Sequence, residues 1–218
     1  MTIDCLQTPA LLLEQSAFNA NRKAMKKLLK DTSLSLRPHY KSHKCAAIAH
    51  MQIADGAIGM TCAKLREALD LADSGIDDIL IANQITDLRK ISVGASLAGD
   101  CRLTVCVDDP ENIMQWELAA AHAGTVVHIL VEYEIGMCRC GVSDSREILR
   151  LARLVCDCPH LRFDGIQAYA GHVSHMKSEE ERLRCTEENS SKIRSFCRFC
   201  TKRIFRSEQF QGGVQELL

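Results

Sequence analysis

The 218 residues carry 27 Lys plus Arg against 28 Asp plus Glu, a formal net charge of -1, so the basic excess of a dedicated nucleic-acid binder is missing. Apolar residues make up 46% and charged residues 25%, with only 4 prolines, which excludes a disordered or collagen-like chain and supplies a real core.

In chain order, residues 10–14 read as a short apolar strand. Ser16 then reads as an N-cap, and Phe18, Met25, Leu28 and Leu29 share one face of a basic helix ending near Lys30. Residues 34–41 form the next predicted strand, and 44–54 a helix closed by Asp55-Gly56. Strands follow over 58–61, 78–82, 103–107, 126–132 and 162–169. Between and after them lie helices over 65–73, 87–97, from Pro110 through Trp116, 145–155 and 179–201. After the leading strand this gives six strand–helix units, with strands apolar enough to be buried on both faces, the pattern of parallel βα units. The repeat has the size of one unit of an eight-fold βα barrel, and two further units would close it. A doubly wound open sheet also uses six strands, so periodicity leaves both architectures open.

Cysteine is over-represented, with 12 positions from Cys5 to Cys200. No apolar leader opens the chain and no apolar run is long enough to span a membrane, so the expected compartment is cytoplasmic and the thiols reduced. Cys138-x-Cys140, Cys156-x-Cys158 and Cys197-x-x-Cys200 have metal-like spacing. None has an evident second half for a four-ligand site, and no metal ligand is assigned.

Three clusters fall just past predicted strands, where barrel active sites are built. The first is Arg37-Pro38-His39-Tyr40-Lys41-Ser42-His43-Lys44. Lys41 is in strand phase with His39, and a desolvated lysine among cations is the neutral amine that a Schiff base requires. The second runs from Glu132 to Gly141, with Arg139 projecting from a turn permitted by Gly136 and Gly141. The third runs from Asp164 to His172, where Tyr169, Gly171, His172 and the nearby His175 are candidates to line a pocket.

Other segments carry recognisable patterns too. Ala63-Lys64-Leu65-x-Glu67-Ala68, Asp78-Ile79-Leu80-Ile81-Ala82-Asn83, Gly136-Met137-x-Arg139-x-Gly141 and Gln167-Ala168-Tyr169-x-Gly171-His172 follow the lysine cluster in that order. Together the segments resemble the D-threonine aldolase and D-serine dehydratase family, fold-type III enzymes that use pyridoxal 5'-phosphate and are related to alanine racemase. The resemblance runs from about residue 8 to about residue 201. It implies an α/β fold, an incomplete (β/α)8-type cofactor-binding barrel over 1–203 with a divergent tail over 204–218.

The resemblance also implies residue roles. Lys41 is the covalent cofactor lysine, Arg139 faces the phenolic oxygen of the cofactor, and Tyr169 packs near its ring. His39 and His172 sit inside matching motifs and are carried as cofactor-binding positions. The implied reaction is retro-aldol cleavage of a small β-hydroxy D-amino acid to glycine and an aldehyde. The alternatives are dehydratase-type β-elimination, a non-catalytic cofactor carrier, or an inactive truncated product.

Full-length members add a C-terminal β domain that holds a divalent metal through His and Asp or Cys and often closes the site across a homodimer. That domain, its metal ligands and a glycine-rich phosphate loop have no counterpart in residues 202–218, where Gly212-Gly213 is too little for a phosphate cradle. No nucleic-acid or membrane partner is implied.

Overall fold

The computed structural model describes residues 3–204. Five parallel strands form one sheet: β1 (Met60–Cys62), β2 (Asp78–Ile81), β3 (Arg102–Val107), β4 (Val127–Tyr133) and β5 (Leu161–Ala168). Their order in space is their order in sequence. Each consecutive pair is joined through a helix: α3 (Leu65–Asp73), α4 (Leu88–Leu97), α5 (Pro110–Ala123) and α6 (Ser145–Asp157). A doubly wound sheet reverses its order at a switch point, whereas strands that add in one direction build a barrel wall. The molecule is therefore a five-stranded arc of a βα barrel, and the open-sheet alternative falls away.

The helices start where short acidic side chains can cap them. Asp87, Asp109 and Asp144 each accept hydrogen bonds from amides of the first turn of α4, α5 and α6. Outward residues of the strands, among them Ile79, Ile81, Val105 and Ile129, pack against Leu71, Ile91, Ile113, Trp116 and Leu151 in one fully buried core. The opposite face of the sheet is the barrel interior. Leu80, Cys106 and Leu130 form a small separate apolar cluster there. Toward the strand N-termini the interior is ionic. Asp78 pairs with Arg37 (2.8 Å) and Arg102 (2.9 Å), and Asp164 pairs with Arg102 and with His128 Nδ1 (2.8 Å). This network seals one end of the arc and leaves the other end for chemistry.

The first third departs from the sequence reading. Residues 10–14 are not a strand, and Leu11, Leu12 and Leu13 are exposed, because no neighbouring strand offers them a ladder. Helix α1 (Gln15–Leu29) is capped by Glu14, whose carboxylate accepts from the Ser16 and Ala17 amides, not by Ser16. None of its residues is buried, and Met25 and Leu28 lie exposed.

The expected strand over residues 34–41 does not form a sixth strand. The amides of Ile58 and Thr61 donate to the carbonyls of Leu36 and Pro38 (2.9 and 2.7 Å), and only His39 bridges Thr61. Pro38 has no amide to return, and the chain then tightens into a 3-10 turn at Tyr40–Ser42. The sheet therefore has five strand–helix units where six were expected.

Helix α2 (Ala46–Ala54) starts two residues later than expected, because Lys44 takes φ +47° and Cys45 is extended. The long α7 (Glu179–Ile204) follows β5 after a 3-10 turn at Gly171–His175. The expected tail lies, from residue 205 on, outside the described residues. No helix among the described residues is long and apolar enough to cross a membrane.

Candidate active site at the strand C-termini

Two of the sequence clusters run past the C-terminal ends of β4 and β5, and the lysine cluster surrounds the bridge of His39 to Thr61 on β1. Lys41 sits in the 3-10 turn rather than in strand phase with His39, and its side chain is exposed rather than desolvated. The turn is held by His39. Its Nδ1 accepts from the Lys41 amide (3.2 Å), and Ser42 Oγ donates to its carbonyl (3.0 Å). Burial pushes the His39 imidazole below its ordinary pKa, the Lys41 charge adds to this, and the Glu67 carboxylate opposes it. An Nδ1 that accepts leaves the proton of the neutral ring on Nε2.

Behind this turn lies a carboxylate to which the sequence reading gave no role. Glu67, on α3, is buried, accepts from the Ala63 amide (2.9 Å) and lies 3.5 Å from Lys44 Nζ. Burial pushes its carboxyl up, but the Ala63 amide and the Lys44 ammonium hold it, on balance, below the usual range.

The β4–α6 loop carries Arg139. The Glu134 carboxylate folds this loop by accepting from the amides of Gly136 (2.6 Å) and Cys138 (2.7 Å). Arg139 is exposed, with its guanidinium carbon 4.9 Å from the centre of the Tyr169 ring. The two residues stand 30 positions apart in sequence, and the loops after β4 and β5 bring them together. His172 reaches the same loop, where its ring lies against Gly136.

Glu132 is a second carboxylate without an assigned role, at the interior end of β4. It is buried and accepts from Gln84 Nε2 (2.5 Å). Burial pushes its carboxyl up, against the Gln84 hydrogen bond and the Arg139 charge. The available signal was strand parity, since Glu132 lies two residues beyond the interior-facing Leu130.

A cleft of about 610 Å³ opens along the incomplete side of the arc, lined among others by Arg37, Thr61, Leu80, Gln167 and Tyr169. Thr61, which His39 bridges, and Tyr169, over which the Arg139 guanidinium lies, both line this cleft. Among the described residues, no group of three or more His, Cys, Asp or Glu is arranged to hold a metal ion. Residues 202–218, expected to hold no phosphate loop, lie largely outside the described residues.

The family profile described as alanine racemase, N-terminal domain, matches residues 13–206. D-threonine aldolase of Arthrobacter sp. is 36% identical over 208 residues, 95% of this chain and 55% of that protein. A 3-hydroxy-D-aspartate aldolase of Paracoccus denitrificans (strain Pd 1222) is 37% identical over 179 residues, 81% of this chain and 46% of that protein. Among solved structures, D-threonine aldolase from Filomicrobium marinum superimposes with a TM-score of 0.85 at 38% identity, covering 88% of this chain and 53% of that one. The chain thus spans about half the length of the relatives it matches.

Proposed function

The chain belongs to the alanine racemase N-terminal domain family, and on that footing we propose that it carries the cofactor-binding barrel of a pyridoxal 5'-phosphate-dependent lyase that cleaves β-hydroxy D-amino acids to glycine and an aldehyde. The observation that supports this reading is the placement of two candidate groups, Arg139 and Tyr169, beyond neighbouring strand ends. An exposed lysine held by a histidine stands at the same end of a parallel barrel wall as an arginine fixed over a tyrosine ring.

The residues present suit the ring half of the cofactor. Lys41 offers a primary amine for covalent attachment, Arg139 a permanent cation for an anionic oxygen, and Tyr169 an aromatic face. When bound, the cofactor supplies an electron sink for charge developing at the substrate Cα. Stacking on Tyr169 contributes about 0.5–1 kcal/mol to holding the Arg139 guanidinium, as expected for a half-exposed cation–π pair. His39 is neutral near neutral pH, and its Nε2–H is available to donate to an oxygen at the mouth. Glu132 is oriented by Gln84, and the nearby Arg139 charge opposes the rise that burial imposes on its carboxyl.

The test is incubation of the full chain with D-threonine, pyridoxal 5'-phosphate and a divalent cation. Glycine and acetaldehyde in equal amounts are the expected products. Keto acid and ammonia would replace this reading by the elimination reaction, and no product of either kind would overturn it for this chain.

A further inference from the structure

Cys185, on α7, lies with its sulfur 3.4 Å from His172 Nε2. Asn189, one helical turn further on, donates its side-chain amide to the same sulfur at 3.7 Å. The other ring nitrogen of His172, Nδ1, is buried with no hydrogen-bond partner, so the sulfur is the imidazole's partner among the described residues. On the Cε1–Nε2 side the ring is also flanked by Gly136, where an added Cβ would stand 2.9 Å from Cε1 and 3.0 Å from Nε2. Cys185 itself is only partly buried, so a small reagent can reach the sulfur.

We propose that Cys185 is a histidine-activated thiol that undergoes exchange with low-molecular-weight disulfides, a modification site at the rim of the same cleft that uses His172 but not Lys41. The constellation has a nucleophile, a base within reach and an amide donor for the developing thiolate. In the exchange, the Cys185 S–H proton passes to His172 Nε2 and the thiolate attacks one sulfur of the small disulfide. A new S–S bond joins Cys185 to that sulfur as the S–S bond of the reagent breaks. The departing thiolate then takes the proton from His172. The Cys185 sulfur rises by one oxidation level as the departing sulfur falls by one, so the exchange balances and no further oxidant is needed. Two other described thiols are pushed the opposite way: burial raises Cys62 to about 12 and Cys101 to about 11.

The experiment treats the full reduced chain, without cofactor, with a limiting amount of 4,4'-dithiodipyridine at neutral pH, followed by peptide mapping of the mixed disulfide. Most of the adduct is expected on Cys185, forming about tenfold faster than on glutathione under the same conditions, as for an activated thiol. In His172→Gln the Cys185 rate should fall at least fivefold, by an order-of-magnitude expectation for losing the base. Adduct spread evenly over the exposed cysteines, or a Cys185 rate equal to that of glutathione, overturns the proposal even if the variant does not fold. So does an unchanged rate in a folded variant. The readout needs no cofactor, so failure of the lyase reading would leave it standing.

Discussion

Replacing Gly136 by alanine tests how tightly the loop after β4 is locked to the loop after β5. Gly136 has φ +133°, and a Cβ there would stand 2.9 Å from His172 Cε1 and 3.0 Å from Nε2. Holding a non-glycine residue in that backbone region costs about 1–3 kcal/mol. The imidazole must also move by several tenths of an ångström, which weakens its contact with Cys185 and adds about 1–2 kcal/mol. Gly56, just past α2, is the control: its φ is +107°, but a Cβ there meets nothing within 4 Å, so Gly56→Ala pays the backbone term alone. The assay is urea unfolding of both variants and the parent. With a slope of about 2 kcal/mol per molar urea, Gly136→Ala should unfold roughly 0.5–1 M below Gly56→Ala. Equal midpoints for the two variants would mean that His172 does not bear on this loop, and would refute the packing described for the mouth.

Asp164→Asn removes the carboxylate shared by Arg102 and His128 in the barrel interior; Arg102 keeps Asp78, and the lost charged hydrogen bonds should cost about 1–3 kcal/mol in urea unfolding. Glu147→Ala, which breaks the exposed pair with Arg150, should cost no more than about 0.5 kcal/mol. Burial lowers the pKa of both His39 and His43, so folding disfavours their protonation. Their contribution is present in full above the ordinary histidine pKa of about 6.5 and is lost as the pH falls below it. Urea midpoints should therefore drop on acidification toward about pH 5, with a shallower drop in a His39→Gln, His43→Gln double variant, and a rise would contradict the assignment. With its thiol pushed up to about 12 by burial, Cys62 should resist iodoacetamide in the folded chain and react only in denaturant, which peptide mapping would show.

The sheet was legible where strands are buried on both faces. Runs such as Asp78–Ile81 and Val127–Tyr133 leave little choice but a central parallel strand, and the structure matches the expected positions to within one or two residues. The failures lie at the free edge. The leucines at 11–13 and the alternation over 34–41 look like strands in isolation, but a strand is defined by its partner. The first has none here, and Pro38 interrupts the second. The candidate residues were legible as clusters past strand ends, while their pairings were not. Arg139 meets Tyr169 through two loops whose shape depends on Glu134 and on backbone conformations at Gly136 and Cys138. Glu132 reads as an ordinary strand residue until its burial is known, and Cys185 is masked by the charged helix around it. Both owe their interest to neighbours distant in sequence, Gln84 and His172.

The central claim, that this mouth binds pyridoxal 5'-phosphate through Lys41, is tested most directly by borohydride reduction of the full chain in the presence of the cofactor, followed by peptide mapping. Reduction fixes the cofactor to the lysine that holds it and so names the residue without any need for turnover. The account predicts a single modified peptide carrying the label on Lys41, lost in Lys41→Ala and kept in Lys44→Ala, because Lys44 is turned toward Glu67. A label on Lys44 or any other lysine, or none above the level of a denatured control, would contradict it.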